Sequence, residues 1–422
     1  MRPGAPMRIL HVINNGTICG GAERLTADLA EQQRHDGHDV HVLSSDLPGS
    51  GRRFADSTWP VQGARGLAKV HRHYWNSAAR TTLSARIAGW RPDVVHLHTV
   101  GLLSPASLPA LRHVPTVMTV HGPELFVRGT VRGCLPASYF HASSRLNRLT
   151  PHGALAAAWA SAVTGPVWRR SLRRHVDAFI APSRFLAELT ERSLGPAHVV
   201  GNGVHNAYLA AGRRSPSPSL GSSPRLVMAA RLEDFKGPQV LLAAMPAILS
   251  RHPLVRLTII GTGPFADKLN DMAAELEISH AVTITGWQTA STLAAVFARS
   301  DVALVPSLWP EAFGLAALEA LAAGCPVVAS GAGGLVDLVQ HERTGLLVPP
   351  GDPAALADAV NRLLADRPLR TRLGDAGRLL GRQFTMRAHA EAVEAVYREA
   401  RERHGRREAP RALASIGRGD TR

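Results

Sequence analysis

Cysteine is scarce in this chain. Cys19, Cys134 and Cys325 are the only three in 422 residues, too few and too scattered for a disulfide framework or a zinc site. A reducing, cytoplasmic setting is the simple expectation. Long apolar runs are missing as well: no stretch of 18 apolar residues occurs, so a spanning helix is not expected, and Met1–Pro6 lacks the charged-then-apolar pattern of a signal peptide. The 20 histidines show no HExxH or comparable ligand spacing, so no metal centre is expected and most are read as surface or core residues without chemistry. Lysine is the rarest cation. Only Lys69, Lys236 and Lys268 accompany an arginine-dominated set of 48 basic residues, so a lysine in a loop that handles a ligand stands out.

What is present is enough for two hydrophobic cores. A chain of 422 residues exceeds what one core usually organises, and 45% hydrophobic content with mean hydropathy of -0.02 describes a globular protein. The net charge of +15 falls mainly on residues 1–210. A basic face there suits anionic lipid, nucleic acid or a phosphorylated acceptor, or merely reflects the arginine content.

Short β-rich runs alternate with helical patterns. Strands are expected at Arg8–Asn14, Asp39–Ser44, Asp93–His98, Thr116–His121, Ala178–Ala181 and His198–Val200, with a helix over Glu23–Asp36. Such alternation predicts a parallel sheet covered on both faces. Between Gly122 and Arg174 the pattern loosens, with helices possible at Ala154–Ala162 and Val167–Arg174. A long loop of this kind is often a lid or binding element. The arginine-rich run from Trp168 to Arg174 is either a short basic amphipathic face for a membrane surface or a solvated helix face.

Residues 212–224, GRRSPSPSLGSSP, read as the clearest linker. Beyond them the α/β pattern restarts at Arg225 and runs through Val302–Pro306. The expected division is a first Rossmann-like domain over 1–203, a linker at 204–224, and a second such domain over 225–383. A C-terminal helix at 384–403 is expected to pack back toward the first domain, followed by a disordered tail at 404–422. Two doubly wound domains facing across a cleft would place ligands beyond the carboxyl ends of the strands.

The most informative segment is 307–337, SLWPEAFGLAALEALAAGCPVVASGAGGLVD. From Phe313 to Ala323 it is almost wholly apolar, yet Glu319 stands in its middle and Glu311 at its entrance. A buried, unpaired carboxylate is costly, so Glu319 is expected to have a polar partner. Eight helical residues rise about 12 Å, so the two carboxylates can lie along one elongated polar ligand such as a nucleotide-sugar. Arg231 and Lys236 fall between a strand and a helix, where two cations can straddle a diphosphate or simply be solvated. Gly333 and Gly334 open a helix whose backbone N–H groups suit an anionic or hydroxylated ligand, although Gly-rich turns are common. The same holds for Gly20–Gly21. The run IIGTGP at 259–264 lacks a third glycine and is not read as a dinucleotide site. His121 ends an apolar strand and either hydrogen-bonds a sugar hydroxyl, assists at the reaction centre, or is structural; His96 and His98 have similar placement with less support.

In this order the elements resemble the retaining nucleotide-sugar glycosyltransferases of GT-B fold, family 4-like, with an E-x7-E element. The resemblance spans most of residues 7–400. It implies that Arg231 and Lys236 hold the diphosphate, Glu311 the donor-sugar hydroxyls and Glu319 the ribose. Backbone at Phe313, Gly314 and Leu315 would reach sugar and phosphate. Gly21 falls in the first glycine loop, near the diphosphate, and His121 faces the reactive end of the sugar. It further implies retention at the anomeric carbon without metal or cofactor; no DxD cluster occurs. Asp337 stands where members often have Glu. ICGG at 18–21 replaces the lysine that precedes the glycine pair in glycogen and starch synthases, which argues against a bulk glucan synthase. The expected activity is transfer of a hexosyl or N-acetylhexosaminyl group, from a UDP-linked donor by family frequency, to a small-molecule or lipid-linked acceptor in cell-envelope glycan or natural-product biosynthesis. Peripheral contact with anionic membrane through the first domain is possible, and nucleic acid is not an expected partner. The alternatives are a UDP-sugar 2-epimerase of the same fold and a basic nucleic-acid-binding protein, the latter leaving the glutamate pair unexplained.

Overall fold

The structure, a computed structural model, describes residues 5–18, 20–47, 51–61, 75–99, 101–122, 166–214 and 223–416, with 213–214 and 408–416 as backbone only. Cys19, Cys134, the helix expected at 154–162 and most of the loose segment 122–174 lie outside the described residues, as does most of the Ser/Pro-rich stretch.

Two compact units are present. One comprises the described residues up to Gly201 together with those from His389 onward, and the other spans Asn202–Ala388. The first is built on a seven-stranded sheet of β1 (Arg8–Asn15), β2 (Asp39–Ser45), β3 (Ser57–Trp59), β4 (Val94–Leu97), β5 (Thr116–Thr119), β6 (Ala178–Ala181) and β7 (Ala197–Val199), in the order 3-2-1-4-5-6-7. The second has six strands, β8 (Arg225–Ala229), β9 (Arg256–Ile260), β10 (Val282–Thr285), β11 (Val302–Val305), β12 (Val327–Ser330) and β13 (Gly345–Val348), in the order 10-9-8-11-12-13. All of these pairings are parallel. Strand order reverses between β1 and β4 in one sheet and between β8 and β11 in the other. At such a switch point crossover helices leave on opposite faces and open a crevice at the carboxyl ends of the strands.

The helices of the first unit are α1 (Gly21–His35), α2 (Ser77–Trp90), α3 (166–175) and α4 (Arg184–Ser193). Those of the second are α5 (Asn206–Arg214), α6 (Pro238–Arg251), α7 (Ala266–Glu275), α8 (Ala290–Arg299), α9 (Leu315–Ala322), α10 (Leu335–Leu338), α11 (Pro353–Ala365) and α12 (Arg367–Gly381); α13 (Met386–Ile416) follows. The period-2 alternation of strands divides the core of the second unit. Leu226, Met228, Leu257 and Ile259 pack in one cluster with α6 and α11, whereas Val227, Ala303 and Val305 pack in another with α8 and α9. Burying each Leu or Ile side chain contributes about 1.5–3 kcal/mol. Side-chain caps start several helices: Ser183 accepts from Leu186 N, Thr289 from Thr292 N, Asp352 from Ala355 N and Asp366 from Leu369 N, each contributing about 1 kcal/mol.

Two expectations are corrected. Residues 204–214 are not linker: Val204 bridges to Thr385 and α5 buries Tyr208 against Phe297, ring centroids 6.3 Å apart. One aromatic ring anchors a segment whose neighbours are small or polar. Nor does the C-terminal helix end at 403. It continues to Ile416, and just past 403 His404 Nδ1 and Arg407 Nη1 each meet a carboxylate oxygen of buried Asp177 at 3.0 Å. Sequence reading also missed β3, α2, α4, β13, α11 and α12.

Candidate active site

In the second unit, the loops that leave the carboxyl ends of β8, β9, β11 and β12 are tied together by backbone hydrogen bonds. Leu232 N donates to Thr262 O at 2.9 Å, Phe265 N to Leu232 O at 3.1 Å, Leu308 N to Phe235 O at 2.9 Å and Gly334 N to Glu311 O at 2.6 Å. The GTGP turn, set aside as a dinucleotide site, therefore backs the loop that carries Arg231. Gly263 is needed there, since a Cβ would lie 2.2 Å from Leu232 O.

On this platform the chain's rare lysine meets the first glutamate. Lys236 Nζ donates to Glu311 Oε1 at 2.6 Å, and the hydroxyl of buried Ser307 donates to the same oxygen at 2.6 Å. Their side chains are 24% and 14% exposed for Lys236 and Glu311, so the pair is partly shielded and still reachable. Both bonds arrive on Oε1. Lys236 also lies over the Phe235 ring, 5.6 Å from its centroid, and that ring contacts Trp309 at 5.8 Å. These aromatics limit where the ammonium can go. Arg231, 57% exposed, reaches Glu233 at 3.5 Å through Nε.

Gly333 and Gly334 shape the floor. Gly333 bridges to Glu311 and has φ of 61°; a Cβ would come within 2.5 Å of Glu311 O. Gly333→Ala is therefore expected to push the Glu311 backbone aside and destabilise the protein by about 1–3 kcal/mol, read as a lower thermal midpoint. Gly314, with φ of 100°, starts α9, and no side chain caps that helix. Its first N–H groups, at Leu315 and beyond, form the anion-favouring end of the helix. Phe313 is 4% exposed and packs on Phe384, so only its backbone is left for a ligand. Because α9 begins at Leu315, the separation of Glu311 and Glu319 is not that of eight helical residues. Glu319 lies on α9, partly buried and with an interaction partner, as a carboxylate in that apolar run requires.

His121 and Gly21, two further expected donor-contact residues, lie in the first unit. His121 follows β5 by two residues and is partly buried; burial pushes its pKa down to about 3. Gly21 is the first residue of α1, preceded by extended Gly20, and no side chain caps this helix. A Cβ on Gly20 would meet the Glu23 carboxylate at 2.9 Å. His96 and His98, given a placement like that of His121 with less support, are buried: both are at most 2% exposed, with burial holding their pKa values well below the usual range. Ser307, Gln33, His11 and Tyr397 were not singled out from sequence. For Ser307 the one available signal was a hydroxyl directly following an apolar strand.

Residues 213–380 match the family described as Glycosyl transferases group 1, and residues 19–208 match Glycosyltransferase Family 4. Over 407 residues the chain is 31% identical to a glycogen synthase of Mycobacterium tuberculosis, covering 91% of this chain and 92% of the relative. The chain belongs to the family 4 glycosyltransferases. Another relative is a GDP-mannose-dependent alpha-(1-6)-phosphatidylinositol monomannoside mannosyltransferase of Mycobacterium tuberculosis, 30% identical over 75% of this chain and 85% of its own. The GT-B fold is shared with Anabaena HepE, solved with UDP and glucose, at a TM-score of 0.67 and 19% identity, covering 92% and 99% of the two chains. Among the described residues of this glycosyltransferase no helix is long and apolar enough to cross a membrane.

Proposed function

We propose that this glycosyltransferase moves a hexosyl or N-acetylhexosaminyl group, with retention, from a UDP-linked donor to a small-molecule or lipid-linked acceptor in cell-envelope glycan or natural-product biosynthesis. The observation that carries the reading is the Lys236–Glu311–Ser307 cluster at the β8/β11 switch point. A carboxylate ordered by two donors on one oxygen is suited to sugar hydroxyls. The ammonium holding it has further N–H donors for phosphate oxygens. Arg231 supplies the second cation, Glu319 the ribose contact, and the uncapped start of α9 with Gly333 and Gly334 the backbone donors. As the bond from the anomeric carbon to the phosphate oxygen breaks, Lys236 and Arg231 neutralise the departing charge. That same oxygen takes the acceptor hydroxyl's proton while the acceptor oxygen bonds to carbon from the same face. For His121 and the Gly21 loop, in the first unit, we propose the donor-contact roles that the family resemblance implies. No metal is assigned a role, the two cations serving in its place.

The HepE complex supports UDP as carrier, the mannosyltransferase relative keeps GDP-mannose in the trials, and the glycogen synthase relative adds α-glucans to the acceptors to be tried. Exposed Arg170, Arg173 and Arg174 on α3, beside Val167 at 53% exposure, support peripheral contact with anionic lipid.

The test is a thermal-stabilisation screen of nucleotide-sugars followed by acceptor trials with the strongest binder. Lys236→Ala is expected to weaken UDP binding roughly 10- to 100-fold, the loss of one charge-assisted hydrogen bond, measured by calorimetry. Unchanged affinity would remove the diphosphate role.

A further inference from the structure

A line of hydrogen-bonded histidines runs through the core of the first unit and ends at His121. Gln33 Oε1, on α1, lies 2.8 Å from His11 Nε2; His11 Nδ1 lies 2.9 Å from His98 Nε2; and His98 Nδ1 lies 2.9 Å from His121 Nε2. Rings of His11 and His98, and of His98 and His121, are stacked with centroids 5.1 and 5.2 Å apart. His11, Gln33 and His98 are at most 2% exposed, so water does not compete for these bonds. A neutral imidazole has one N–H and one bare nitrogen, so each bond dictates the next and the line has only two self-consistent directions.

The amide of Gln33 chooses between them. Its Nε2 donates to Tyr397 Oη, on α13, at 3.4 Å, so its Oε1 is the acceptor for His11. His96, on the far side of Tyr397, has Nδ1 2.7 Å from Tyr397 Oη and Nε2 2.7 Å from Thr119 Oγ1. With Gln33 accepting, His11 carries its proton on Nε2, receives His98 Nε2–H at Nδ1, and His98 receives His121 Nε2–H. We propose that Gln33, locked by Tyr397, acts through His11 and His98 as a positioning residue that holds His121 in the Nε2–H form with Nδ1 bare, so that His121 accepts from a ligand hydroxyl and never donates to phosphate.

Among the described residues nothing hydrogen-bonds His121 Nδ1, the nitrogen at the less buried end of the line. Burial opposes protonation of every ring, pushing His11 down to about 4 and His121 to about 3, so an added proton does not erase the direction near neutral pH. Nitrogens of His11, His96 and His98 come within 4.8 Å of one another, a spacing that also suits a metal. Each of these six nitrogens is already used in the bonds above, which favours the hydrogen-bonded line. The ligand assignment rests on the donor-binding function proposed above; the direction of the line does not.

The test is 15N NMR of the full chain labelled at histidine, at pH 7.5, with His121→Asn assigning the resonance. One His121 tautomer, with Nδ1 bare and Nε2 protonated, is expected to exceed the other by about tenfold or more. Gln33→Leu is expected to give a tautomer mixture, and Gln33→Glu, still an acceptor toward His11, to restore the wild-type form. A protonated Nδ1 in the wild type would overturn the proposal even if the variants fail to fold. So would a His121 indifferent to Gln33→Leu, or a stoichiometric metal in the purified protein. Adding UDP-glucose is expected to shift the bare Nδ1 resonance; a missing response with the tautomer intact counts against the donor reading and not against the line.

Discussion

Glu311→Ala is expected to abolish sugar transfer, a loss of about 10³-fold or more in kcat, the scale of removing a group that orients the reacting sugar and its charge-stabilising partner together. The side chain holds Lys236 and Ser307 on one oxygen, so its removal frees the ammonium from its fixed position as well as deleting the sugar contact proposed for it. The fold should survive. Lys236 is 24% exposed and can turn to water, and partly exposed ion pairs of this kind contribute only about 1 kcal/mol or less. The measurement is transfer rate beside thermal midpoint and circular dichroism for Glu311→Ala and Glu311→Gln. Full activity in a folded alanine variant would remove the site assignment.

The second large effect is acid instability. Burial pushes His11 and His389 down to about 4 and His121 to about 3, and holds His96 and His98 well below the ordinary 6.5. As pH falls below 6.5 the unfolded chain binds protons that the folded chain refuses, so this stability is fully present above about 6.5 and declines below it. Each histidine costs up to about 1.4 kcal/mol per pH unit. Together the five remove on the order of 5 kcal/mol in the first unit below 6.5, against a whole-domain stability of about 5–15 kcal/mol. Urea midpoints at pH 7.5, 6.5 and 5.5 should drop steeply, and His98→Asn should flatten the slope. A midpoint independent of pH over that range would show that these rings are not held neutral by the fold.

Much of this was legible in the chain. Apolar runs such as Val302–Val305 have one physical outcome, a strand buried on both faces, and their alternation with helical patterns allowed little but a doubly wound sheet. Lys236, Glu311 and Gly333 were conspicuous in the sequence: a rare lysine, a carboxylate before an apolar helix, a glycine at the opening of a helix. Boundaries were less legible where the chain makes long-range contacts. Asp177 meets α13 just past 403, and Phe297 packs against Tyr208 of α5.

By itself, then, the amino-acid sequence determined the two α/β units and which side chains were out of place for packing, because periodicity and propensity act over short windows. Tertiary structure alone decided partners. Lys236 finds Glu311 75 residues away, since the reversal of strand order brings the loops after β8 and β11 together. His11, His98 and His121 align because β1, β4 and β5 are neighbours in the sheet. A histidine's sequence position says nothing of which nitrogen bears its proton. Its neighbours across the strands decide that.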